Sequence, residues 1–199
     1  AVREARGEYL LFLNNDVEII TESWLEEMLQ LCQQKDVGMA GAKLYYPDDT
    51  IQHAGVVVGL GGVAAHVLCK LPRDAEGYMG RLRCVQEISA VTAACMMVKT
   101  SVFKAVGGFD EELKVAFNDI DLCMKVRKYG VKIVFTPYAE LYHYESKSRG
   151  LEDTPEKVAR FNKEIATFEK KWPEILKNGD PYYNPNLTLK SQDFSLKRI

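Results

Sequence analysis

Hydrophobic positions along this 199-residue chain change their spacing from stretch to stretch, and the changes mark out elements. Tyr9-Leu-Leu-Phe-Leu13 is an unbroken apolar run, the pattern of a short strand buried on both faces, and Asn14-Asn15-Asp16 follows at once. Trp24, Leu25, Met28, Leu29 and Cys32 share one face of a helix that Thr21 or Ser23 can cap. Val37 to Leu44 predicts a strand closed by the turn Pro47-Asp48-Asp49, and Ile51 to Val58 a second extended segment. From Gly59 to Gly80 the periodicity fades and glycine is frequent, so this stretch reads as a long loop. Glu87 to Val98 reads as a further strand. A short helix capped by Thr100 stops at Gly107-Gly108, and another runs from Asp119 to Tyr129 and ends at Gly130. The strand Val131 to Phe135 and a turn at Pro137 come next. Thr154, with Pro155 at the first helical position, opens the clearest helix, where Val158, Phe161, Ile165, Phe168 and Trp172 recur at steps of three and four. Beyond Gly179 the chain is rich in Pro, Asn and Tyr, a tail that must lean on the body to be ordered. Alternating strands and helices make this an α/β layered fold.

Charge and cysteine usage remove several function classes. With 26 basic and 28 acidic residues the net charge is -2, so no broad phosphate-binding surface is implied and nucleic acid is not an expected partner. The apolar stretches are too short and interrupted to cross a bilayer, and no signal-peptide layout opens the chain. Cys32, Cys69, Cys84, Cys95 and Cys123 are scattered without a C-x-x-C pair, which argues against a disulfide framework or a zinc knuckle. A cytoplasmic location, extending to the inner face of a membrane, is the expectation.

Three polar clusters could carry chemistry. Asn14-Asn15-Asp16 sits where a strand ends; its oxygens suit a hard divalent cation, and equally an ordinary polar turn. In Asn118-Asp-Ile-Asp-Leu122, Asn118 can cap a helix and Asp121 can reach back to the cap's amide. Asp119 is then left to project outward, where a carboxylate could remove a proton from a hydroxyl. Tyr142-His143-Tyr144 offers a metal-ligating imidazole or a histidine stacked among aromatics; His53 and His66 have weaker claims.

Their order and spacing say more than any one of them. Gly7-Glu-Tyr-Leu-Leu-Phe-Leu-Asn-Asn-Asp16, Thr92-Ala-Ala-Cys-Met-Met-Val98, Gly107-Gly-Phe-Asp-Glu111, Asn118-Asp-Ile-Asp-Leu122 and His143 together resemble the inverting family 2 glycosyltransferases. Asp180-Pro-Tyr-Tyr-Asn-Pro-Asn186 is similar to bacterial O-antigen and polysaccharide transferases of that family. The resemblance implies a GT-A-like fold, a mostly parallel sheet between helices, incomplete at the N-terminus because a nucleotide-binding half would precede Gly7. Residues 1–150 would form the metal and acceptor side of the catalytic domain, with 151–199 a helix and tail packed on it.

In that frame Asn14, Asn15 and Asp16 stand at the Asp-x-Asp position that meets the nucleotide-sugar donor. Asp16 would bind a divalent metal (Mn or Mg) together with His143, and Asp119 would be the catalytic base. Thr92, Asn118 and Asp121 would lie on the side of a glycan or lipid-linked acceptor. Asn14 replaces the first Asp, which lowers the negative charge around the cation, and Asn118 replaces a usual Glu. The implied reaction is sugar transfer from a nucleotide diphosphate with inversion. Without the preceding half, this chain alone is expected to be inactive and to self-associate through the strand near Tyr9–Leu13. A non-catalytic glycan-binding or assembly module of the same fold is the alternative, and a metal-dependent hydrolase using Asp16, Asp119 and His143 a third reading.

Overall fold

The computed structural model describes residues 2–144 and 154–198. In chain order its elements are β1 (Tyr9–Leu13), β2 (Val17–Ile19), α1 (Trp24–Cys32), β3 (Val37–Tyr45), β4 (Ile51–His53), β5 (Val56–Val58), β6 (Ala64–His66), β7 (Gln86–Glu87), β8 (Cys95–Lys99), α2 (Thr100–Ala105), α3 (Asn118–Lys128), β9 (Lys132–His143), α4 (Pro155–Lys171) and α5 (Pro173–Asn178). The main sheet runs β1-β8-β3-β9-β2, with β4 beside β3 and β7 beside β9; β5 and β6 form a separate hairpin. Among the described residues only β3 and β9 pair in parallel, and the other pairings are antiparallel. The sheet is therefore mixed rather than mostly parallel: β9 returns alongside β3 after α3, while β8 runs against both of its neighbours.

Period-two alternation sorts the central strands between two cores. Met39 and Tyr45 of β3, Met96 and Val98 of β8, and Ile133 and Phe135 of β9 belong to one core with Ile120 and Cys123 of α3. Ala40, Ala42 and Leu44, Cys95 and Met97, and Val134 and Leu141 belong to the other, under Trp24, Met28, Leu31 and Cys32 of α1. Leu31 thus takes the place expected for Leu25, which is exposed. The run Tyr9–Leu13 is not buried on both faces. It forms a sheet edge, and Leu11 and Leu13 are exposed.

Three departures from the sequence pattern shape the site. The predicted strand Glu87–Val98 breaks into β7 and β8, because residues 89–94 leave the sheet and satisfy their backbone groups elsewhere. Ile88 N still donates to Ile133 O of β9, whereas Val91 N donates to Cys123 Sγ and Ala93 N to Asp119 Oδ2. Gly41 makes room for this segment: a Cβ there would lie 2.3 Å from Val91 Cγ1. Pro137 makes no turn. It lies inside β9, where pairing to β3 slips between Gly41–Phe135 and Lys43–Glu140, and a bulge accommodates a residue without an N–H. His143 is consequently the last residue of the same strand. The extended segment Ile51–Val58 is cut into β4 and β5 at Gly55, whose φ is +105°, and the expected long loop contains β6.

The C-terminal residues pack on this body. Thr154 caps α4 through Lys157 N, as its sequence predicts. Phe168, Tyr183, Leu187 and Phe194 enter the first core. Val158 and Phe161, from the expected apolar stripe, stay exposed, and Glu164 is buried instead. Among the described residues no helix is long and apolar enough to cross a membrane.

Candidate active site

β2 brings the Asn14–Asp16 cluster and His143 together. Val17 faces His143 across the β2–β9 ladder, and Tyr144 N donates to Asp16 O at 2.8 Å. His143 Nε2 then lies 3.0 Å from Asn14 Nδ2 and 3.3 Å from Asp16 Oδ1. On the far side of the ring, Nδ1 is 2.7 Å from Gln52 Oε1. Asp16 Oδ1 is within ion-pair distance of the imidazole, yet it is buried without a hydrogen-bond partner. The two facts agree if Nε2 receives the Asn14 N–H, for then no proton on the ring points at the carboxylate.

That leaves the Asp16 oxygen without a donor, and a cation taking the place of the Asn14 N–H at Nε2 would satisfy the carboxylate and the ring together. Among the described residues no group of three or more His, Cys, Asp or Glu side chains could hold a metal. Asp16 and His143 thus offer two protein donors, and an ion held there would need its remaining ligands from elsewhere. Asn14 and Asn15 are exposed beside it.

The turn at Asn14 also reaches the Asp119 cluster. Asn14 N donates to Ala94 O at 3.0 Å, and the neighbouring Ala93 N donates to Asp119 Oδ2 at 3.1 Å. Ile120 N donates to Asp119 Oδ1 at 2.9 Å, so two backbone groups aim a half-buried carboxylate. Thr92 is half-buried on the same segment, where its Oγ1 accepts from Ala94 N.

The start of α3 differs from expectation. Asn118 is the first helical residue, and the cap is Phe117, held at φ +61° with its ring against Phe161 and Phe168. No side chain caps the helix; Glu164 reaches over from α4 to the loop before it and accepts the N–H groups of Lys114, Val115 and Ala116 at 3.0, 3.1 and 2.9 Å. Asp121 does not belong to the acceptor side. It is fully buried, with Oδ1 2.6 Å from Lys171 Nζ and 2.9 Å from Trp172 Nε1. Its Oδ2 lies 2.8 Å from Lys125 Nζ, a charge contact without the alignment of a hydrogen bond. The helix turns this side chain toward α4, away from Asp119.

Two residues of the site escaped the sequence reading. Gln52 is a buried polar residue between Ile51 and His53, and Glu164 is a charge set within the apolar stripe of α4. A polar residue inside an apolar pattern was the available signal in both cases. His53 lies next to Gln52, with its Nδ1 2.8 Å from His66 Nδ1. Burial, and then the neighbouring His66 and His143, hold His53 well below the usual imidazole value.

A family model described as "Glycosyltransferase like family" matches residues 1–164. An uncharacterized protein of Sinorhizobium fredii is 55% identical over 197 residues, covering 98% of this chain and 22% of that protein. The O-antigen biosynthesis protein RfbC of Myxococcus xanthus is 40% identical over 199 residues, covering 100% of this chain and 15% of RfbC. The chain thus spans less than a quarter of the length of these relatives. The crystal structure of GalNAc-T7 with UDP, GalNAc and Mn2+ superposes with a TM-score of 0.62 at 13% identity, over 88% of this chain and 34% of that one.

Proposed function

Because this chain belongs to the glycosyltransferase-like family and has a GT-A-like fold, we propose that it forms the cation and acceptor side of a centre that transfers a sugar, with inversion, from a nucleotide diphosphate to a glycan or lipid-linked acceptor. One observation carries the reading. Consecutive residues tie both ends of the site to a single segment, Ala94 O receiving Asn14 N and Ala93 N reaching Asp119 Oδ2. Asp16 and His143 stand at one end of that rim and Asp119 at the other. The kinship with an O-antigen biosynthesis protein supports a glycan as the product.

Asp16 Oδ1 and His143 Nε2 would hold the divalent cation. When bound, that cation supplies positive charge against the diphosphate as it departs. Asp119 accepts the proton of the acceptor hydroxyl. As it does so, the hydroxyl oxygen bonds to the anomeric carbon and the bond from that carbon to the diphosphate oxygen breaks. The electron pair leaves with the diphosphate, and one displacement inverts the centre. The bonds from Ala93 N and Ile120 N keep the Asp119 carboxylate from rotating out of line. Asn14 and Asn15, exposed beside Asp16, are placed to meet the donor.

The test is Asp119→Asn beside the unsubstituted protein at its full length, each supplied with a panel of nucleotide sugars and Mn2+. Transfer falls by about a thousandfold, within the range that general-base loss produces, while donor binding is unchanged. Retained turnover would remove Asp119 from its role. Donor binding with no transfer even in the unsubstituted protein would favour a binding module.

A further inference from the structure

Gln52 is buried, 5% exposed, and both ends of its carboxamide meet His143. Oε1 lies 2.7 Å from the ring Nδ1, and Nε2 donates to the backbone O of the same histidine at 3.3 Å. The two ends of the amide cannot be exchanged. A rotated amide would set Oε1 against the His143 carbonyl, two acceptors face to face without a proton between them. The carbonyl can only accept, so the NH2 must face it and Oε1 must face the ring. Nδ1 then has to bring the proton.

A neutral imidazole has one N–H, so placing it on Nδ1 leaves Nε2 bare. The Asn14 N–H at 3.0 Å from Nε2, and the partnerless Asp16 Oδ1 at 3.3 Å, are what a bare Nε2 leaves on that side. The backbone of Gln52 is fixed as well: Cys69 Sγ donates to its carbonyl, and β4 pairs with β3. Resting on the reading of His143 as a cation ligand, we infer that Gln52 is the positioning residue of this site, fixing the tautomer of His143 and clamping its ring so that the Nε2 lone pair faces the cation beside Asp16. Such partners of ligating histidines commonly change metal affinity ten- to a hundredfold when removed.

The experiment has one arm without metal and one with Mn2+ alone, both on the whole chain. Nitrogen-15 NMR of the His143 ring shows the proton on Nδ1 in the unsubstituted protein. In Gln52→Met, similar in length but without an acceptor, the proton redistributes toward Nε2. Gln52→Glu, which keeps an acceptor at the ring, retains it on Nδ1. Paramagnetic broadening of the His143 ring signals by Mn2+ then has its midpoint shifted about tenfold or more to higher concentration in Gln52→Met. An unchanged tautomer and an unchanged Mn2+ midpoint in Gln52→Met would overturn the inference, as would loss of the Nδ1 proton in Gln52→Glu. His143→Ala separates this from the underlying reading. If Mn2+ still broadens the signals around Asp16 at the original midpoint, His143 is not a ligand, whereas the metal-free arm still decides whether Gln52 sets the ring.

Discussion

Asp119 and Asp121 lie two residues apart on α3 and belong to different kinds of region. Asp121 is fully buried among Lys125, Lys171 and Trp172. Elsewhere in the same C-terminal anchor, Glu164 accepts three backbone N–H groups. Asp180 accepts from Val58 N, Ser89 Oγ and Tyr182 N. At the strand-end rim the supply is short: Asp119 receives two N–H groups while half-buried, and Asp16 Oδ1 receives none. Folding gives the carboxylates that fasten the tail to the body either lysine counter-charges or several donors, and leaves those on the rim without a lysine and with capacity for a ligand. Mutations in the anchor should therefore register in stability, and mutations on the rim in binding and turnover.

The sharpest break in that contrast comes from Asp121→Ala. It leaves the Trp172 N–H without its acceptor and takes the buried counter-charge from Lys125 and Lys171, Lys171 keeping only Asp110, and about 3 kcal/mol of stability is lost, read from denaturant unfolding. A nearly neutral result would mean that the anchor is not held by its carboxylates. Next is Glu164→Ala, expected to cost about 2–3 kcal/mol by leaving three N–H groups without their acceptor. The amides of Lys114, Val115 and Ala116 exchange faster, and transfer weakens because this loop delivers Asp119. Gly41→Ala links the two regions. Its Cβ would press on Val91, costing about 1–3 kcal/mol and shifting Ala93 away from Asp119, so turnover falls along with stability.

The smallest effect is that of pH. His53 resists protonation in the folded chain because it is buried beside His66 and His143, whereas the unfolded chain takes up a proton near 6.5. Stability is therefore full above that value and declines as the pH falls below it. The lowered carboxylates, such as Asp110 held down by Lys171, act only below 3.8, so the two windows separate. Chemical denaturation across pH 7 to 5 measures the slope, and His53→Gln flattens it.

Much of this division was legible in the chain. The apolar run before Asn14, the Thr154-Pro155 cap and the tail's need to lean on the body are local patterns, and each is found. So is the α/β layering. The residues that misled have partners far away in sequence. Asp121 is settled by Lys171 and Trp172, fifty or more positions on, and nothing near Asn118 signals them. The continuous strand expected over Glu87–Val98 gives way because Val91 lies in the space left by Gly41 and Asp119 takes the Ala93 N–H. Pro137 stays within its strand only because β3 tolerates a slip opposite it. Local periodicity carries none of these tertiary demands.

Thermal unfolding of Asp16→Asn, with and without Mn2+, tests most directly whether the rim is left unsatisfied for a ligand. Without metal, replacing a buried, partnerless carboxylate oxygen beside a ring lone pair should leave Tm unchanged or raise it by about 2–4 °C, the shift of roughly 1 kcal/mol in a domain of this size. Mn2+ should raise the Tm of the unsubstituted protein and leave that of the variant where it was. A variant that melts lower in the absence of metal and still gains stability from Mn2+ would contradict the assignment of Asp16 to the cation.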